Sequence, residues 1–168
     1  MDGNLEQSAS GTIEWLLNTA LHFGSEFFAF IVVAGLAGAF GVYFGRDRLV
    51  ALLAGLYIAI PTFQFFPWGS NMLANPLIAI AFFALIAILT MLAFSGLSSF
   101  FPTSSGGFLS LLILSVLTAG LILFIAIKII PVESIYTFSD ATKALFDSST
   151  ASFLWFIAPV VGVFFLSR

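Results

Sequence analysis

Residues 27–45 read FFAFIVVAGLAGAFGVYFG, residues 46–48 read Arg-Asp-Arg, and residues 49–67 read LVALLAGLYIAIPTFQFFP. Two uncharged runs of nineteen residues thus flank a three-residue charged turn. A hydrocarbon core of about 30 Å is crossed by roughly 20 apolar residues in a helix. Lipid leaves no partner for free backbone groups, so a spanning segment with this composition must be helical. The stretch therefore reads as a helical membrane hairpin and sets the fold class: an all-α integral membrane protein.

Working outward, residues 76–101 form a third apolar run with Thr90 and Ser95 as its main polar members, and residues 108–127 form a fourth, closed by Lys128. About four transmembrane helices are expected. A fifth run, 153–166, has fourteen residues and contains Pro159. That length suits a short interfacial or re-entrant C-terminal hydrophobic helix better than a crossing, though tilt and local thinning of the bilayer leave a crossing open. On the other side, Glu14, Asn18, His22 and Glu26 recur every fourth residue, opposite Ile13, Leu16, Leu17 and Leu21. Residues 12–26 are thus expected to form an amphipathic helix lying in the membrane interface. Within 131–151, Ala141, Ala144 and Leu145 form a weaker apolar face against Asp140, Lys143 and Asp147. One membrane domain results, made of a polar and amphipathic segment (1–26), a four-span bundle (27–130), and a polar segment plus hydrophobic helix (131–168).

Composition agrees with this and excludes several functions. Of 168 residues, 61% are hydrophobic and 8% charged, against about 25% charged in soluble domains. Five Lys/Arg in the chain cannot make the basic patch that nucleic acid requires. With no cysteine, no disulfide or thiolate site can form. Residues 1–26 carry four acids and no Lys or Arg, unlike a signal peptide, so targeting is expected to come from the first span. His22 is the only histidine, too few for an imidazole metal site, and a solvated side chain is expected there. No nucleophile–base pair or phosphate-binding glycine loop is recognisable. The spans lack Asp, Glu, Lys and Arg, which argues against a coupled transporter. A non-enzymatic protein without a cofactor is expected, with membrane lipids and either itself or other membrane proteins as partners.

Two features organise the hairpin. Ala37, Gly41 and Gly45 recur at four-residue spacing on the first span, and Ala51, Gly55 and Ala59 on the second. Such stripes let helix backbones approach closely, and a short turn makes the two spans neighbours. The expectation is that the stripes pack on each other within one chain, the alternative being a subunit interface. Pro61, followed by Thr62 and Gln64, marks a polar kink. It either lines a cavity, as in an oligomeric pore or channel, or simply places Gln64 near the headgroups beside Trp68. Arg46 and Arg48 set the topology: the positive-inside rule puts this turn in the cytoplasm and the N-terminus outside a cytoplasmic membrane.

The segment 41–59, GVYFGRDRLVALLAGLYIA, resembles the first hairpin of the colicin V production protein family. That family shows a glycine-rich end to the first span, one or two arginines, then a leucine-rich span containing glycine. The overall plan is similar too, with four spans, a polar segment and a C-terminal hydrophobic helix. The chain departs from the family in its amphipathic N-terminal segment and in its short 102–107 turn. The resemblance implies a small inner-membrane protein linked to toxin export and envelope homeostasis.

Overall fold

The computed structural model describes residues 24–67, 75–96, 107–130, 132 and 135–166. Among them run α1 (Phe28–Phe44), α2 (Arg46–Phe65), α3 (Pro76–Ser95), α4 (Phe108–Lys128), α5 (Asp140–Asp147) and α6 (Ser149–Leu166), with no strand. By length and composition α2, α3, α4 and α6 can each cross a membrane. The chain is an all-α, multi-pass membrane protein. Apart from 24–26, the expected N-terminal helix with Glu14, Asn18 and His22 lies outside the described residues, as do Trp68 and positions 102–106.

Local chemistry places the helix ends. Gly45 sits at φ 88°, ψ 158°, a region essentially closed to residues with a Cβ. It ends α1 and starts α2 by itself, so the expected three-residue loop shrinks to one, and Arg46, Asp47 and Arg48 become the first turn of α2. Asp47 in that turn suits the positive end of the helix dipole. At the start of α3, Asn75 Oδ1 accepts from the Leu77 N–H at 3.1 Å, with Pro76 following as the first helical residue. Ser139 caps α5, its hydroxyl accepting from the Thr142 N–H at 3.2 Å.

Two helix pairs make the bundle. α2 packs most extensively on α3, and α1 on α4, while α6 lies against α4 and reaches α2 through side chains. The main core gathers Leu49, Leu53, Leu56 and Phe63 of α2, Phe83 of α3, and Leu114 and Leu121 of α4. A smaller one joins Leu123, Phe138 and Phe146 near the start of α1.

The C-terminal run corrects the sequence reading. α6 is 18 residues long and continuous through Pro159. Its first turn borrows Ser149, Thr150 and Ser152, residues that an apolar count leaves out. Ser148 Oγ accepts from the Ala151 N–H at 3.0 Å, and the Ser152 hydroxyl donates to the Phe146 carbonyl at 2.8 Å. Its N-terminal end lies by Asp147, which pairs with Lys128 of α4 at 3.6 Å. At its other end the Leu166 carbonyl accepts from Arg46 Nη2. α6 therefore runs the length of the bundle and is long and apolar enough to cross a membrane. α1, at 17 residues, is the shorter apolar helix.

Candidate functional site

Small residues decide which helices touch, and here the expected pairing is corrected. Gly55 faces α3, not α1: a Cβ there would lie 2.8 Å from the Ala87 carbonyl oxygen and 3.0 Å from the Met91 nitrogen. Thr90 seals this crossing, its hydroxyl lying 2.7 and 3.0 Å from the Ile86 and Ala87 carbonyls of its own helix and 3.2 Å from that of Gly55. Gly41 meets Leu111 of α4 and the Leu49 side chain of α2, and Gly38 meets Ser115 of α4. Ala37 and Ala59 are buried. Gly45 belongs to the turn, with nothing within 4 Å of its Cβ position. A one-residue turn fixes that α1 and α2 are adjacent at one end. It does not dictate which face each presents.

Two contacts escaped the sequence reading. Trp155 of α6 lies flat in a notch at Gly120 of α4, where a Cβ would fall 2.0 Å from its ring, and its indole N–H donates to the Leu145 carbonyl at 3.1 Å. Seven residues on, Gly162 receives Leu117, whose Cδ1 would lie 2.3 Å from an added Cβ. The spacing of Trp155 and Gly162 at i and i+7 on one helix face was the available signal.

Because α3 packs mainly on α2, a cleft opens on each side of it. The first has a volume of about 210 Å³ and lies between α2, α3 and α6. Ala51 and Ala54 of α2 form its floor, Phe94 of α3 one wall, and Pro159, Val160 and Val163 of α6 the other. Tyr57 closes its deep end: the hydroxyl donates to the Phe156 carbonyl of α6, and the two rings meet edge to face at 5.1 Å. That bond reaches α6 within one turn of Pro159, where the helix backbone is interrupted. At the other end Asp47 lines the mouth, Arg46 bridges to α6, and Arg48 is exposed with its guanidinium 5.9 Å from the Phe44 ring centre. The second cleft, about 310 Å³, lies between α2, α3 and α4, and its lining is aliphatic and aromatic throughout, from Leu52 and Ile80 to Ile130.

Pro61 and Gln64 lie at the far end of α2. The helix continues through Pro61 to Phe65, and Pro61, Thr62 and Gln64 are exposed. The Thr62 hydroxyl donates to the Ile58 carbonyl at 2.7 Å. Gln64 thus sits outside the bundle at a helix end, away from any cleft described above. Among the described residues no group of three His, Cys, Asp or Glu converges to hold a metal.

The fold and the clefts define a multi-pass α-helical membrane protein whose recesses suit apolar ligands. Compared with protein-family models, curated proteins and solved structures, the chain matches none.

Proposed function

We propose that the chain is a non-enzymatic structural or assembly component of a cytoplasmic membrane, with the envelope-homeostasis role, linked to toxin export, that its resemblance to the colicin V production proteins implies. One observation carries the choice of scaffold over pore. The buried hydroxyls of Ser115 and Thr118 each donate to a carbonyl one turn back on their own helix, at 2.8 and 2.7 Å. Both are buried and line neither cleft, whereas a permeating ion needs a continuous polar lining. Reconstituted in liposomes, the protein should hold a potassium gradient as long as empty vesicles do. Rapid dissipation would replace this reading with the pore, and would turn attention to Pro61 and Gln64.

In this reading Arg46 and Arg48 face the cytoplasm and the N-terminus lies outside. The natural absence of cysteine makes the check direct. With an impermeant thiol reagent on intact cells, Gly3→Cys should label and Asp47→Cys should not; the reverse pattern inverts the topology.

A further inference from the structure

The two clefts flanking α3 differ in depth and in what stands at their mouths. From Asp47 to Tyr57 the first runs ten residues along α2, about 15 Å at 1.5 Å per residue, which is half of a hydrocarbon core of about 30 Å. It starts at the charged end of α2 and is shut near mid-bilayer by the Tyr57–Phe156 contact. The second cleft starts from Leu52 and Leu56 on another face of α2, passes residues 80–88 at the middle of α3 and ends along residues 122–130 at the C-terminal end of α4, without an ionisable residue in its lining.

We infer that the first cleft holds one acyl chain of a membrane phospholipid bearing a primary-amine headgroup. Shape selects the chain. A transmembrane helix about 10 Å across would occupy more than about 1,000 Å³ over 15 Å, several times the 210 Å³ present, whereas a single acyl chain is thin and one leaflet long. The lining suits it, since Val50, Ala51, Ala54, Val160 and Val163 offer dispersion contacts and no competing polar atom. Charge selects the headgroup. Asp47 lines the mouth and attracts an ammonium, while Arg48, exposed on the same helix turn though outside the cleft lining, is a donor available to the phosphate. A zwitterionic aminophospholipid satisfies both; an anionic glycerol headgroup leaves Asp47 facing like charge. Binding is independent of the scaffold reading, because it is read on purified protein without any flux or cellular role.

The test is native mass spectrometry of detergent-purified protein, titrated with phosphatidylethanolamine or phosphatidylglycerol of identical acyl chains. Wild type should keep one phosphatidylethanolamine several-fold more readily than phosphatidylglycerol. Asp47→Asn, an exposed and conservative change, should keep a lipid and lose the preference. Ala54→Phe fills the cleft and should lose the lipid, whereas Ala84→Phe, in the second cleft, should retain it. Equal retention of the two lipids by wild type overturns the assignment. So does an unchanged adduct in an Ala54→Phe protein that melts like wild type. Should Ala54→Phe fail to fold, Asp47→Asn still decides, since an unaltered preference in that variant sinks the headgroup assignment.

Discussion

α1 and α2 carry the same kind of small-residue stripe, yet they use it differently. On α2, Gly55 brings backbone against backbone, with the Ala87 carbonyl and Met91 nitrogen of α3 at 2.8 and 3.0 Å from where a Cβ would stand. On α1, Gly41 meets only side chains, Leu49 and Leu111 at 3.3 and 3.4 Å, and Gly38 meets Ser115 at 3.7 Å. A leucine side chain can change rotamer; a helix backbone cannot yield without the helix moving. The same motif therefore makes a rigid crossing in one helix and an adjustable one in its neighbour. Burial also differs between helices: 44% of the apolar stretches of α2 and α4 is buried within the chain, against 17% of α3 and 6% of α6. α3 is held on α2 by the Gly55 crossing and, further along, by the Phe63–Phe83 and Phe66–Phe82 ring contacts.

The largest effect is expected at that crossing. Gly55→Leu should destabilise by about 3 kcal/mol or more, at the top of the overpacking range, and release α3. Thermal melting in detergent, with proteolysis of the α3 region, checks it. If Gly41→Leu costs as much, the contrast between rigid and adjustable contacts fails. Gly41→Leu should instead cost about 1–2 kcal/mol, as Leu49 and Leu111 shift, and should leave α3 docked.

The turn between the two helices comes next. Gly45→Ala adds no steric contact but forces a Cβ into φ 88°, at about 1–3 kcal/mol. Its loss should appear in melting temperature without any change in helix content by circular dichroism. A smaller effect is expected for Thr90→Val, which keeps the shape of the side chain and removes the hydroxyl shared among three carbonyls. Hydrogen bonds of this kind in membranes average about 0.6 kcal/mol, so a shift above about 2 kcal/mol would show that the hydroxyl, not Gly55, holds the crossing. The smallest, and opposite in sign, is Gly35→Ala on the exposed side of α1. Nothing lies within 4 Å of that Cβ position, and helix propensity favours alanine by up to about 1 kcal/mol. A measurable loss there would mean that this face of α1 has a partner.

How much of this was legible in the residues varies with the kind of force involved. Span positions came from uncharged length, because the bilayer imposes that length on any helix. The limits of α4 agree with the run 108–127 to within one residue. The turn glycine was also visible, since a glycine before charged residues ends a helix. The length of α6 was not, because Ser149, Thr150 and Ser152 look like loop residues until Ser148 caps the helix and the Ser152 hydroxyl finds the Phe146 carbonyl. Nor was the contact beside Pro159 evident: Tyr57 donates to the carbonyl of Phe156, ninety-nine positions on and within one turn of the proline.

The clefts show the same division. Asp47, Ala51, Ala54 and Tyr57 lie on one face of α2 by helical periodicity alone, and an apolar strip ending in a carboxylate can be read from them. That this strip is roofed by no helix depends on α3 turning toward Gly55 and α6 turning toward Gly120. Those choices follow from notch and knob shapes, Ala87 into Gly55 and Trp155 into Gly120, which have no local signature.

By itself, then, the sequence determined that the chain enters the membrane as helices, where those helices begin and end to within a turn for most spans, and which of their residues are small enough for close approach. Tertiary structure alone decided which helix meets which: α2 with α3, α1 with α4, and α6 running the length of α4. The physical reason is range. Burial in lipid and backbone satisfaction act on each segment separately and leave their mark in its own composition. Helix pairing is a contest among shapes that are distant in the chain and nearly equal in apolarity, and it is settled where a neighbour's backbone or side chain takes the space that a glycine leaves.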